Sequence, residues 1–177
     1  MPSPAAAAAF LKPAAFQAAL VPYRRVLAIL LRDSCVSIAV SNPHMTLAEG
    51  AGAVLLRPGG KLPRHAFGRL IGPDKLGGTV AGVVIGHERG FALDALGAEP
   101  AAAAGELLAE AHEVLAAAHG AGALFTWWGD WTPDSPASCR LPPPEPLAEG
   151  AKPPVCSMAA TYLQSYLDQL GADNTFG

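Results

Sequence analysis

The chain has 177 residues, 51% of them hydrophobic and only 15% charged, with a net charge of −3. That is enough to bury a real core in one domain with an extension or two, and no apolar run approaches the ~20 residues of a membrane span. Three cysteines, Cys35, Cys139 and Cys156, form no Cys-x-x-Cys pair; their odd number and wide spacing argue against a disulfide framework and against zinc, and fit a reducing compartment.

Charge is segregated. Residues 1–75 hold nine Lys/Arg and three Asp/Glu, whereas residues 76–177 hold three Lys/Arg and twelve Asp/Glu. Such polarity fits a body with one side able to meet phosphate. The low charge overall fits a surface covered by partners.

In chain order, Ala5–Leu20 reads as a helix broken or kinked at Pro13. Residues 1–22 as a whole form an Ala-rich extension with one cation, Lys12, either retained or a weakly basic presequence. Tyr23–Leu31 carries a short aliphatic run and reads as a buried strand. After the polar turn Arg32-Asp33-Ser34, Val36, Ile38 and Val40 alternate with Ser37, Ala39 and Ser41. That alternation predicts a half-buried strand paired back as a hairpin. Ala53–Arg57 reads as a third strand, stopped by Pro58-Gly59-Gly60.

Leu62–Leu76 reads as a helix decorated by Arg64, Arg69 and Lys75 and closed by Gly77-Gly78. Val80–Ile85 is a buried strand, and Pro100–His119 a helix capped by Gly120. Ala123–Trp128 is a further strand. Trp127 and Trp128 fall on opposite faces of it, one in the core and one exposed. Between Thr132 and Pro154 lie eight of the 17 prolines. No regular element forms through that density, so an extended, polyproline-like loop is expected. Val155–Leu170 is the last helix, ended by Gly171.

The order β-β-β-α-β-α-β-(loop)-α predicts an α/β fold with a ribonuclease H-like mixed sheet: three antiparallel strands, then alternating helices and strands, with helices on both faces. Residues 23–131 and 155–171 make one domain, with 132–154 a loop within it.

Two segments resemble a known family. Val26-Leu-Ala-Ile-Leu-Leu-Arg-Asp-Ser-Cys-Val-Ser-Ile-Ala-Val-Ser-Asn-Pro43 is similar to the opening hairpin of the YqgF/RuvX family of Holliday-junction resolvases. That family writes an aliphatic run, Asp, Leu-Gly, and then Ile-Gly-Val-Ala-Val-Ser-Asp-Pro. Cys156-Ser-Met-Ala-Ala-Thr-Tyr-Leu-Gln-Ser-Tyr-Leu-Asp168 resembles its final helix. Val83-Val-Ile-Gly86 resembles a core strand and turn, and Leu124–Thr132 stands where the family has a strand ending Asp-Glu-Arg-x-Thr.

The resemblance implies a site of three carboxylates holding Mg²⁺ for phosphodiester cleavage. Carried over by position, the three fall on Leu30, Gly129 and Cys156, none of them a ligand for a hard cation. Arg32 replaces a glycine and Asn42 an aspartate. Asp33 lies about 10 Å along an extended strand from Leu30, too far to substitute. Asp130 reaches the second position only by a one-residue slip, which reverses the side-chain face. Glu88, near the end of the fourth strand, could approach the site.

These readings predict no catalytic residue, metal or cofactor, and a pseudo-nuclease serving as a structural subunit of a large assembly. The assembly expected is the mitochondrial ribosome, which places the protein in the mitochondrion, with chloroplast and cytoplasm as alternatives. Its partners are then proteins of that complex, met through Trp128 and Trp131, and ribosomal RNA, met through Arg57, Lys61, Arg64, Arg69 and Lys75. No membrane or small-molecule partner is expected. Two other function classes stay open: a nuclease with a rearranged Mg²⁺ site using Asp130 or Glu88, and a binder that grips nucleic acid without cutting. Gly59-Gly60-Lys61 lacks the spacing and Ser/Thr of a phosphate loop. His112 and His119 have no carboxylate or cysteine at ligand spacing.

Overall fold

The computed structural model describes residues 10–32, 34–88, 98–120, 123–129 and 156–176. The strands are β1 (Phe10–Leu11), β2 (Arg25–Leu31), β3 (Cys35–Ser41), β4 (Ala48–Leu55), β5 (Val80–His87) and β6 (Leu124–Trp127). The helices are α1 (Pro13–Ala19), α2 (Arg64–Ile71), α3 (Pro73–Leu76), α4 (Ala98–His119) and α5 (Cys156–Phe176). The described strands form one sheet in the order β1-β6-β5-β2-β3-β4. β2, β3 and β4 are antiparallel, while β5 joins β2 and β6 joins β5 in parallel. This is the α/β mixed sheet of ribonuclease H-like order predicted from the element sequence.

Both faces of the sheet are covered, which is why β2 reads as an unbroken aliphatic run. Leu27, Ile29 and Leu31 point into one core with Phe67 and Ile71 of α2 and Leu108, Ala111 and Leu115 of α4. Val26, Ala28 and Leu30 point into the other, with Phe16 of α1 and Tyr162, Leu163 and Tyr166 of α5. All seven residues of β3 are buried rather than half of them. The polar alternation suggested a wet face, but α5 lies over it.

Local corrections follow from chain connectivity. Of the helix expected over Ala5–Leu20, residues 5–9 lie outside the described residues, and α1 begins at Pro13, where the missing N–H costs nothing. Phe10 and Leu11 instead pair in parallel with Phe125 and Thr126. Phe16 is fully buried against Gly82, so residues 10–20 pack onto the domain. The helix expected over Leu62–Leu76 splits, because Gly72 stands before Pro73 and takes an extended conformation (φ −58°, ψ 144°).

β4 starts at Ala48, earlier than its Gly/Ala-rich sequence suggests. Pairing with β3 from Ser41↔Ala48 to Cys35↔Leu55 outweighs weak intrinsic preference. The last helix runs through Gly171 to Phe176; an interior glycine costs only about 1 kcal/mol.

The histidines of α4 are structural. His112 packs its ring 4.9 Å from that of Phe125. The His119 Nε2 lies 2.5 Å from the Ile71 carbonyl oxygen, and its Nδ1 accepts from the Val80 amide at 3.4 Å. Those partners select the tautomer with the proton on Nε2. No helix among the described residues is long and apolar enough to cross a membrane.

Candidate functional site

Where β2, β5 and β6 end side by side, the resemblance places its catalytic centre. Leu30 pairs with Ser37 on one side and Gly86 on the other, and it is fully buried in the core under α5. Gly129 follows β6 at its end, half-buried. Cys156 is the first residue of α5, and its side chain lies outside the described residues. Asp33, Asp130, Trp131 and the proline-rich stretch 132–154 also lie outside them.

The centre is filled by aromatic rings. A Cβ at Gly86 would sit 2.5 Å from the Tyr162 ring, so only glycine admits that ring beside Leu30. The Tyr162 hydroxyl donates to the Trp128 carbonyl at 2.8 Å. Trp128 packs 5.4 Å from both Tyr162 and Tyr166, and its amide donates to the Ile85 carbonyl at 2.9 Å. Burial, and then the nearby Tyr166, raise the Tyr162 pKa well above the ordinary tyrosine value. The phenol therefore stays a neutral donor. Ser37, opposite Leu30, is fully buried, and its hydroxyl has no hydrogen-bond partner among the described residues.

This corrects the role expected of Trp128. It is 5% exposed and packs in the interior rather than standing out on the surface. Trp127 is half-buried against the opposite core.

Glu88 does approach the strand ends, but its Oε2 is held by the Arg32 Nε at 2.7 Å. Arg32 stands where the resembled family has glycine, so the departure supplies a cation that holds Glu88. Among the described residues no group of three His, Cys, Asp or Glu side chains is placed to hold a metal ion.

The rest of the resembled final helix has a clear local task. Gln164 is buried; its Oε1 accepts from the Ala48 amide at 2.9 Å, and its Nε2 donates to the Thr46 carbonyl and to Asp168 Oδ1, each at 3.0 Å. One amide thus ties α5 to the start of β4.

The basic segment is on the surface. Arg57 and Lys61 face each other across a tight turn, with the Arg57 amide bonded to the Lys61 carbonyl at 2.8 Å. Arg64 is exposed but paired with Glu113 at 2.7 Å. Arg69 and Lys75 are exposed on α2 and α3. Among the described residues Arg57, Lys61, Arg69 and Lys75 form no ion pair, which leaves Arg64 the weakest of the five for phosphate. Sequence reading gave no role to Tyr23, Arg24 and Arg25, which line a cleft at the opposite end of the sheet. Their signal, an aromatic followed by two arginines, was absorbed into the start of a strand.

No protein-family model matches the sequence, and no curated protein matches it.

Proposed function

We propose that this chain is a non-catalytic structural subunit of a large ribonucleoprotein, the mitochondrial ribosome. The observation that carries the reading is Leu30. A fully buried leucine occupies the position where the resemblance calls for the first metal-binding aspartate. A hydrocarbon cannot ligate a divalent cation, and the Tyr162 and Trp128 rings fill the surrounding volume. Glu88, the nearby carboxylate, is engaged by Arg32.

Loss of the chemistry with retention of the sheet leaves shape as the useful property. The low charged fraction, 15%, suits a chain largely covered by neighbours. The exposed cations Arg57, Lys61, Arg69 and Lys75 supply charge for ribosomal RNA. Residence in the mitochondrion follows from the assembly proposed.

Fractionation of mitochondrial extract by size tests it. The chain is expected to sediment with a ribosomal subunit. Migration at the size of a free monomer would sink the reading. A parallel assay measures Mg²⁺-dependent cleavage of branched DNA and short RNAs by the purified chain. Cleavage abolished by Glu88→Gln or Asp130→Asn would replace the subunit with a rearranged nuclease.

A further inference from the structure

At the end of the sheet away from Leu30, a cleft of about 210 Å³ opens between the start of β2 and the turn after α3. Its walls are Tyr23, Arg24, Arg25, Pro43 and the stretch Gly77–Thr79. Arg25 is half-buried. One of its amino groups donates to the Ser41 carbonyl at 3.0 Å, and its guanidinium lies over Gly77, whose φ of 75° ends α3. That single bond uses one of five donors. Arg24 beside it is exposed, with no hydrogen bond or ion pair among the described residues. Two adjacent guanidiniums, one fixed and one free, thus border one opening, and among the described residues no carboxylate pairs with either. Lys75 of α3 adds to the positive charge nearby, and Asp74 opposes it from the first turn of the same helix.

The third feature is an aromatic ring at the lip. Tyr23 is 76% exposed and holds a left-handed backbone, φ 62°. That conformation is costly for a bulky residue. Its ring is buttressed edge-on by His44, 5.9 Å away, so one face stays open to solvent. The cleft is too small for a whole nucleotide, since pockets that enclose drug-sized ligands start at about 300 Å³. It suits a charged group with an attached ring lying outside.

We propose that this cleft takes a backbone phosphate of single-stranded nucleic acid between Arg24 and Arg25, with the neighbouring base stacked on Tyr23. Cations along the backbone and an exposed aromatic for the base are the two components of sequence-tolerant single-strand binding. The inference does not rest on the subunit reading: it concerns the opposite end of the sheet and needs no assembly.

The test is fluorescence anisotropy of labelled ten-nucleotide RNA and DNA with the purified full chain across a salt series. Arg24→Ala is expected to weaken binding about tenfold and to flatten the log–log salt slope by about 0.7, one phosphate's worth for a single strand. Tyr23→Gly relieves the left-handed backbone, so it keeps the fold. It is expected to weaken binding about tenfold with the salt slope unchanged, while Tyr23→Phe retains wild-type affinity. The proposal is overturned if neither oligonucleotide binds, even where inorganic phosphate does. Hexaglutamate displacing the oligonucleotide at equal concentration would also overturn it, as would binding lost in an Arg57→Ala/Lys61→Ala chain but intact in Arg24→Ala and Tyr23→Gly. A chain that sediments alone yet binds through Arg24 and Tyr23 would refute the subunit reading and leave this one standing.

Discussion

The ring of Tyr162 occupies the space that a side chain at Gly86 would need, and its hydroxyl is anchored on the Trp128 carbonyl at 2.8 Å. One aromatic residue of α5 thereby locks the helix to two parallel strands at the strand ends. The packing is steric on one side and polar on the other, so the two can be probed separately. Gly86→Ala inserts a methyl group into the ring and is expected to destabilise the fold by about 1–3 kcal/mol. Tyr162→Phe removes only the hydrogen bond, leaves the Trp128 carbonyl unpaired and is expected to cost about 1–2 kcal/mol. Urea unfolding followed by tryptophan fluorescence reads both.

The buried phenol also predicts alkaline behaviour. Burial, and then Tyr166, raise the folded pKa of Tyr162 above its unfolded value. Below the ordinary tyrosine value the group is protonated in both states, and its stabilising contribution is complete. Above about pH 10 the unfolded chain releases the proton and the folded chain does not, so stability falls as pH rises. Urea midpoints between pH 9 and pH 11 should decline more steeply in the wild type than in Tyr162→Phe. Equal slopes would contradict the packing.

Restoring the first acid of the resembled family should harm the protein rather than revive it. Leu30→Asp puts a carboxylate into a fully buried apolar core. The expected loss at pH 7 is several kcal/mol, on the order of 3–5. Burial raises the pKa of such an acid, so the penalty should shrink as pH falls towards 4. Thermal melts of the variant at pH 4 and pH 7, each against wild type, check this. Recovery of stability on adding Mg²⁺ at pH 7 would mean that ligands converge there after all.

Gln164 offers a fourth test. Gln164→Leu keeps the volume but strands the buried Ala48 amide and removes the bond to the Thr46 carbonyl. A loss of about 2–3 kcal/mol is expected, mostly the desolvation cost of the orphaned N–H. Amide hydrogen exchange at Ala48 should accelerate more than exchange in the middle of β2. Uniform acceleration throughout the sheet would show that the contact is not local.

How much could be read beforehand differs from element to element. The hairpin of β2 and β3 was legible because an aliphatic run, a polar turn and a period of two are all local signals. The end of helix α4 was legible through the glycine after His119. β4 was not fully legible: Gly50, Ala51 and Gly52 have little strand preference, and their conformation comes from pairing with β3. The candidate centre was half legible. Position alone marked Leu30, Gly129 and Cys156 as departures from a metal-binding pattern, but nothing local said that Trp128 would be covered. Alternation places Trp127 and Trp128 on opposite faces without saying which face a helix closes.

By itself the sequence determined the order and kind of most elements, the mixed α/β sheet and the absence of acids at the resembled positions. These follow from chain geometry and side-chain chemistry, which each residue carries with it. Only the tertiary structure decided that Arg32 would meet Glu88, 56 residues away, that Gln164 would serve Ala48 and that Tyr162 would fill the space over Gly86. Such contacts depend on how two faces of one sheet are covered, and no local window of the chain contains both partners.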